Sequence, residues 1–164
     1  PTEYTEALLA KLKNYPNLEI ILEPGRAISA NAGILVTKVE YLKLNEDRNF
    51  AIVDTGMNDM IRPVLYEAYM QITEVNQSLD REKVTYDVVG PICETSDFLG
   101  KGRELAIAEG DLIAMRSAGA YGATMSSTYN SRPQAVEILV DGAKAHLIKT
   151  RADFADLWRL EKLI

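Results

Sequence analysis

The start of the chain shows a helical pattern of apolar positions that gives way to a continuous apolar run. Tyr4, Leu8 and Leu12 recur every four residues and end before Pro16, which predicts an amphipathic helix. Residues 18–22 (LEIIL) are mostly apolar and have no alternating polar face. Such a run is typical of a strand buried on both faces, as in a sheet covered by helices. We therefore predict one helix followed by one buried strand.

From residue 36 onward, short β-branched and aromatic runs predominate, so most of the chain is predicted to be β. Asp141 and Gly142 separate the last two runs and supply the positive φ angles of a tight hairpin turn. Beyond this hairpin, Thr150 and Asp153 match a capping box, which predicts a closing helix. The predicted strands cover residues 36–42, 50–53, 69–75, 84–89, 112–115, 135–140 and 145–148.

The change of pattern divides the chain into two predicted parts. Residues 1–27 form a short α/β segment, and residues 28–164 form an antiparallel β-domain with the closing helix. The predicted fold class is therefore mainly β. Because the chain starts at Pro1 rather than at a methionine, we also expect it to be a fragment of a longer protein.

Composition and charge narrow the classes of partner. The chain has 164 residues, of which 47% are hydrophobic, as in folded domains. Its net charge of −6 and its lack of basic runs argue against a nucleic-acid partner. No apolar stretch reaches the ~18 residues of a membrane span and no segment resembles a secretory signal, so we predict a cytoplasmic protein with no membrane partner. A single cysteine, Cys93, and a single histidine, His146, exclude an internal disulfide and a Cys/His metal site.

The segment Glu23-Pro24-Gly25-Arg26 directly follows the predicted buried strand and precedes a helix-compatible stretch. A glycine there allows close approach of a ligand, and N–H groups at the start of a helical turn can hold a phosphate. Arg26 adds a bidentate donor for a carboxylate or phosphate. Taken alone, the segment is more often an ordinary Pro-Gly turn with an exposed arginine.

Residues 55–66 form a predicted loop, rich in polar residues, after a very apolar strand. Arg62 and Tyr66 are four residues apart and could converge on one anionic group. From the spacing alone, an ordinary exposed pair with a packing tyrosine is equally compatible. Loops of this kind often carry functional residues, because binding and catalytic side chains concentrate on loops.

Two further loops carry candidate residues. Cys93 and Glu94 lie in the segment GPICETSD (90–97), where a thiol is accessible to a substrate and can transfer protons. A free cysteine is more commonly an inert buried residue, which is the alternative for Cys93. Tyr121 lies between two glycines in AGAYG (118–122), and it can reach a ligand or simply pack within a glycine-rich turn.

Together these segments resemble the pyridoxal-phosphate-dependent diaminopimelate decarboxylases, of the alanine-racemase-like fold class. The resemblance rests on EPGR, MNDMIRPVLY, GPICETSD and AGAYG in this order. The sequence at residues 30–33 and 50–58 is also similar to that of the family. In that family an N-terminal (β/α)8 barrel holds the cofactor, and a C-terminal β-domain, barrel- or sandwich-like, completes the site of the partner subunit. The resemblance implies that residues 1–27 are the last helix and strand of the barrel and that residues 28–164 are the β-domain.

The resemblance also implies roles for individual residues. Glu23, Pro24, Gly25 and Arg26 are expected to line the phosphate of pyridoxal 5'-phosphate. Substrate-binding roles are expected for Arg26, Arg62 and Tyr66 at the distal carboxylate, and Tyr121 is expected to contact both phosphate and substrate.

By the same resemblance, Cys93 is the expected proton donor and Glu94 the expected partner of the distal ammonium. Both are expected to act across the interface of a homodimer. The implied reaction is decarboxylation of meso-2,6-diaminopimelate to L-lysine and CO2, the final step of lysine biosynthesis. None of the nine lysines has the sequence context of the imine-forming lysine, so we expect the chain alone to be inactive and to hold the cofactor weakly, if at all.

Two alternatives remain open at this point. A related decarboxylase of ornithine, arginine or carboxynorspermidine shares fold and cofactor, but those enzymes typically have an aspartate after the loop cysteine where this chain has Glu94. Substrates without a distal carboxylate also have no need for two arginines. The other alternative is a non-catalytic β-rich dimerisation module, whose polar loops only build an interface.

Overall fold

The computed structural model describes residues 2–78 and 80–164 and is mainly β. Three short or medium helices precede or interrupt the strands: α1 (Thr2–Leu12), α2 (Gly25–Ser29) and α3 (Arg62–Tyr66). The strands are β1 (Leu35–Lys43), β2 (Asn49–Val53), β3 (Ile72–Glu74), β4 (Val84–Val89), β5 (Phe98–Leu105), β6 (Leu112–Met115), β7 (Glu137–Asp141) and β8 (Lys144–Lys149). Single 3-10 turns cover Ala30–Ala32, Ala123–Met125, Tyr129–Ser131 and Phe154–Leu157.

Six strands form one sheet in the order β3-β6-β1-β2-β4-β5, and β7 pairs with β8 in a separate hairpin. The two edge strands of the large sheet, β3 and β5, lie close to each other. The Glu74 carboxylate at the end of β3 accepts a hydrogen bond of 2.6 Å from the Ala106 backbone N–H just after β5. The sheet is therefore a nearly closed barrel. Within the described residues, no helix combines the length and hydropathy that a bilayer crossing requires.

The predicted mainly β fold is confirmed, with one difference in strand direction. β2 and β4 pair in parallel, whereas β1 pairs antiparallel with both β2 and β6. The predicted strands 84–89 and 112–115 coincide with β4 and β6. The predicted hairpin is also formed, with Gly142 at φ +58° in the turn between β7 and β8.

The core lies inside the barrel, where alternate strand residues point. In β1, Thr37 and Val39 are buried, and a β-bulge then shifts the alternation so that Leu42 rather than Tyr41 packs against the core. Without this one-residue shift, Tyr41 and Lys43 would point into the barrel and Leu42 would point outward. The buried core consists of Val39, Ala51, Val53, Met60, Met70, Ile72, Tyr86, Val88, Leu99, Leu105, Ile107, Ile113 and Met115.

The strand predicted over residues 18–22 is not formed, and its residues are not buried. Leu18 is 58% exposed and Ile21 is 78% exposed. A strand needs neighbouring backbone to pair with, and no described residue pairs with this segment. The apolar run therefore indicated a segment that is stabilised by burial. The pattern of that segment alone does not show whether neighbouring strands are present to pair with it.

The end of the chain and β5 also differ from the prediction. The closing helix is a single 3-10 turn, and its capping box is formed by Asp153 and Asp156, three residues later than predicted. β5 was missed because Gly100 and Gly102 interrupt it with turn-like residues, and Gly102 has φ +61°. The predicted strand 69–75 shortens to β3.

Two valines of β1 provide a matched test of this core. Val39 is fully buried, whereas Val36 on the same strand is 46% exposed. We expect Val39→Ala to lower the free energy of unfolding by about 2 kcal/mol, because the lost methyl groups leave a cavity. Val36→Ala carries the same change in strand propensity and should cost clearly less. Urea unfolding of both variants checks this, and equal costs would contradict the described core.

Candidate functional site

Four of the predicted site residues line one open cleft of about 510 Å³. Arg26, Arg62, Tyr66 and Tyr121 come from three separate parts of the sequence and face this common space. Sequence reasoning missed two further lining residues, Ala68 and Met125. Small and apolar side chains carry no chemical signal of their own, so only the folded geometry identifies them.

Helix α3 orients two of these side chains. Residues 62–66 were predicted as loop, but Pro63 in the first turn favours a helix, which ends at Glu67 in the left-handed conformation (φ +50°). Side chains four residues apart lie on the same helical face. Arg62 and Tyr66 are therefore presented together to the cleft, which the spacing alone left undecided.

Tyr121 also lines the cleft, and it has an unusual backbone conformation. Its φ of +62° is rare for a residue with a side chain and costs about 1–3 kcal/mol, which the surrounding contacts must offset. The Arg62 guanidinium carbon lies 5.8 Å from the centroid of the Tyr121 ring. A Cβ placed on Gly25 would lie 3.8 Å from the Tyr121 hydroxyl oxygen, so this phenol reaches the start of α2.

Two backbone hydrogen bonds between residues 30–33 and 118–119, called the glycine latch below, hold the segment that follows α2 against the loop that contains Tyr121. The Ala118 N–H donates to the Gly33 carbonyl at 2.9 Å, and the Gly119 N–H donates to the Ala30 carbonyl at 3.0 Å. A Cβ on Gly119 would overlap the Ser29 carbonyl oxygen and lie 2.8 Å from the Gly33 nitrogen, so only glycine permits this approach. The latch therefore determines how far Arg26 lies from Tyr121.

The electrostatic character of the cleft favours an anion. Two guanidinium groups and two phenols line it, and no carboxylate does. Within residues 2–78 and 80–164, neither Arg26 nor Arg62 forms an ion pair, and the buried Nε of Arg62 has no hydrogen-bond partner. An unpaired buried donor of this kind fits a carboxylate or phosphate oxygen. These donors therefore fit a phosphate monoester or a carboxylate, and no lysine lines the cleft.

The remaining predicted residues lie outside this cleft. Glu23 and Pro24 are exposed, and the Glu23 carbonyl accepts a hydrogen bond of 2.9 Å from the Gly25 N–H. Cys93 and Glu94 are also exposed, on the loop that follows β4. The structure thus brings one group of predicted residues together, and Cys93 and Glu94 are not among the residues that line their cleft.

The loop after β4 has an internal framework that sequence reasoning missed. Asp97 is 4% exposed, and its two carboxylate oxygens accept backbone hydrogen bonds from Met57 (2.6 Å) and Ile92 (2.7 Å). The Tyr129 hydroxyl lies 3.4 Å from a Glu94 carboxylate oxygen. Asp97 belongs to the GPICETSD segment, but nothing in that segment distinguishes a buried carboxylate from an exposed one.

A second polar network supports the loop that leads into α3. Arg132 donates to the Asp54 carbonyl at 2.6 Å and to the Asn58 side-chain oxygen at 3.2 Å. Burial raises the pKa of Asp59. The hydrogen bond of 3.1 Å that its carboxylate accepts from the Gly56 N–H opposes this shift. Arg132 lies far from this loop in sequence, so spacing could not have linked it to the site.

In the described part of the chain, no group of three His, Cys, Asp or Glu side chains is arranged to hold a metal ion.

Comparison with known proteins gives a consistent family. Residues 15–119 match the model of the pyridoxal-dependent decarboxylase C-terminal sheet domain. The chain is 71% identical to a diaminopimelate decarboxylase of Haemophilus influenzae over 164 residues, which is all of this chain and 40% of that protein. The chain therefore spans well under half the length of this relative.

Two solved structures are similar over almost the whole chain. A crystal structure of a protein from Aquifex aeolicus has a TM-score of 0.89 and 46% identity, over 98% of this chain and 40% of that one. A crystal structure of the Helicobacter pylori diaminopimelate decarboxylase complexed with L-lysine has a TM-score of 0.85 and 44% identity, over 97% of this chain and 39% of that one.

The glycine latch can be tested by adding single methyl groups. We expect Gly119→Ala to lower the free energy of unfolding by about 1–3 kcal/mol, since its Cβ overlaps backbone that cannot move aside independently. Gly25→Ala is the matched control, because its Cβ would meet only the Tyr121 hydroxyl oxygen at an ordinary 3.8 Å. Urea unfolding of the purified protein compares the two. Equal midpoints for both variants would show that the latch does not constrain α2.

Proposed function

Because the chain belongs to the pyridoxal-dependent decarboxylases, as their C-terminal sheet domain, we propose that it is part of a diaminopimelate decarboxylase. The complete enzyme would release CO2 from meso-2,6-diaminopimelate and form L-lysine. The observation that carries this proposal is the convergence of Arg26, Arg62, Tyr66 and Tyr121 on one cleft without a carboxylate. The identity of 71% to a relative of that name supports the same assignment.

The charges around the cleft favour this substrate over its competitors. Diaminopimelate carries a carboxylate and an ammonium at the end remote from the reacting carbon. Arg62, with Arg26, would bind that carboxylate, and Glu94 would bind the ammonium. A substrate without the distal carboxylate would leave the buried Nε donor of Arg62 unpaired, which is costly. This favours diaminopimelate over ornithine, arginine or carboxynorspermidine.

The same cleft fits the phosphate end of pyridoxal 5'-phosphate. We assign the phosphate to Gly25, Arg26 and Tyr121, with Glu23 and Pro24 shaping the turn before them. When bound, this cofactor stabilises the electron pair that departing CO2 leaves behind. Since no lysine lines the cleft, the imine-forming lysine would come from outside this chain. Residues 1–27 would then belong to the cofactor-binding barrel and residues 28–164 to the β-domain.

Cys93 is the proposed proton donor to the carbon that loses its carboxylate. Its thiol and the Glu94 carboxylate are exposed and do not line the cleft of their own chain. We therefore propose a homodimer in which each protomer inserts this loop into the cleft of its partner. A cytoplasmic location remains part of the same proposal.

Substitutions in the loop of the full-length enzyme test these roles. Cys93→Ala should lower kcat by about 10²–10⁴-fold, the usual contribution of a general acid. Glu94→Gln should mainly raise KM for diaminopimelate, because it removes the charge that pairs with the distal ammonium. Thr95→Ala, an exposed neighbour in the same loop, is the control and should change neither constant. Unchanged kcat in Cys93→Ala would remove the assigned role of the thiol.

Mixing inactive variants tests the shared site directly. Cys93→Ala and Arg62→Ala homodimers should each have low activity, because every site lacks one of the two groups. After subunit exchange, half of the dimers are mixed and each has one intact site, so activity should recover to about a quarter of that of the unmodified enzyme. If the mixture stays as inactive as its components, Cys93 and Arg62 act within the same protomer.

A further inference from the structure

The loop that carries Cys93 and Glu94 is fixed by one buried carboxylate. Asp97 is 4% exposed, and its Oδ2 accepts a hydrogen bond of 2.7 Å from the N–H of Ile92, the residue before Cys93. The Asp97 carbonyl accepts from the Gly90 N–H at 3.0 Å, and the Asp97 N–H donates to the Glu94 carbonyl at 3.0 Å. Both ends of the loop therefore meet at this residue.

The other oxygen of Asp97 connects this loop to a second one. Oδ1 accepts a hydrogen bond of 2.6 Å from the Met57 N–H, in the loop that follows β2 and leads into α3. β2 and β4 are parallel neighbours, so their carboxyl ends lie at the same edge of the sheet. One carboxylate thus joins the loop with Cys93 to the loop that precedes Arg62.

The surroundings of Asp97 leave little freedom for this carboxylate. A Cβ on Gly90 would overlap Asp97 Oδ2 and lie 2.7 Å from the Gly56 Cα. No Lys, Arg or His forms an ion pair with Asp97 among the described residues, so its charge is compensated by backbone N–H groups. Burying an ionised carboxylate without a cation is costly, and charge-assisted bonds to N–H groups offset that cost.

We propose that Asp97 is a positioning residue that holds Cys93 and Glu94 where they meet the substrate and keeps this loop in register with the loop that leads to Arg62. This inference rests on the proposed function, since it assumes that Cys93 donates the proton. The Asp97 carboxylate accepts its hydrogen bonds from the backbone N–H groups of Met57 and Ile92, so it would act through Cys93 and Glu94. A displacement of about 1 Å is enough to lower a rate by about 10²-fold.

The test is Asp97→Asn in the full-length enzyme. The amide keeps the size of the side chain, but its NH2 group faces one of the two N–H donors, so one hydrogen bond becomes a repulsive contact. We expect kcat to fall about 10–100-fold through misplacement of the thiol, and KM to rise through misplacement of Glu94. In a Cys93→Ala background, the same substitution should lower kcat by less than about 2-fold, because the group that it positions is gone.

Two further variants separate positioning from general loss of stability. Asp87→Asn is the control: Asp87 is 9% exposed, accepts a hydrogen bond of 2.8 Å from the Gly102 N–H and pairs with Arg48 at 3.4 Å, but it lies within β4 rather than in the Cys93 loop. It should lower the melting temperature while leaving kcat within about 2-fold. Gly90→Ala keeps the Asp97 charge but displaces the carboxylate, and should repeat the Cys93-dependent loss of kcat. This second variant decides the question if Asp97→Asn does not fold.

The outcomes distinguish this inference from the proposed function. Normal kcat in folded Asp97→Asn, or an equal fold-loss with and without Cys93, overturns the positioning role while the role of Cys93 stands. The same holds if Asp87→Asn lowers kcat as much as Asp97→Asn does. Unchanged kcat in Cys93→Ala alone overturns the proposed role of the thiol and the positioning role together.

Discussion

The parallel pairing of β2 with β4 is the constraint on which the proposed site depends. Ala51 lies opposite Val88 and Ile52 opposite Val89, so the two strands end side by side. The loop after β2 leads to Arg62, and the loop after β4 carries Cys93. In an antiparallel pair these loops would leave the sheet at opposite edges, and no single carboxylate could hold both.

A second constraint acts on α2, which has no buried residue. Its position is therefore not determined by a packed apolar face, as it is for most helices in proteins. It is determined instead by the backbone hydrogen bonds between residues 30–33 and 118–119, which require the close approach of Gly33 and Gly119. The orientation of Arg26 toward Tyr121 thus depends on two glycines that do not line the cleft.

Sequence reasoning predicted the elements whose signal is local. β4 and the hairpin turn at Gly142 were predicted correctly, because β-branched runs and an Asp-Gly pair determine them without distant partners. The cleft residues were found through motifs, while the spacing of Arg62 and Tyr66 left their roles open. Residues 18–22 failed as a strand because pairing is not local. Asp97 was missed because burial, hydrogen bonding and parallel direction are properties of the folded chain.

The separation of charges is the reason for proposing that two protomers share each site. The cleft offers guanidinium and phenol donors and no carboxylate. A distal ammonium placed there beside Arg62 would meet like charge, which disfavours binding unless a carboxylate is added. Glu94 is exposed on the loop outside that cleft, and within the described residues it forms no ion pair. A second copy that inserts Glu94 and Cys93 together would complete the charge pairing and bring the proposed proton donor to the same cleft.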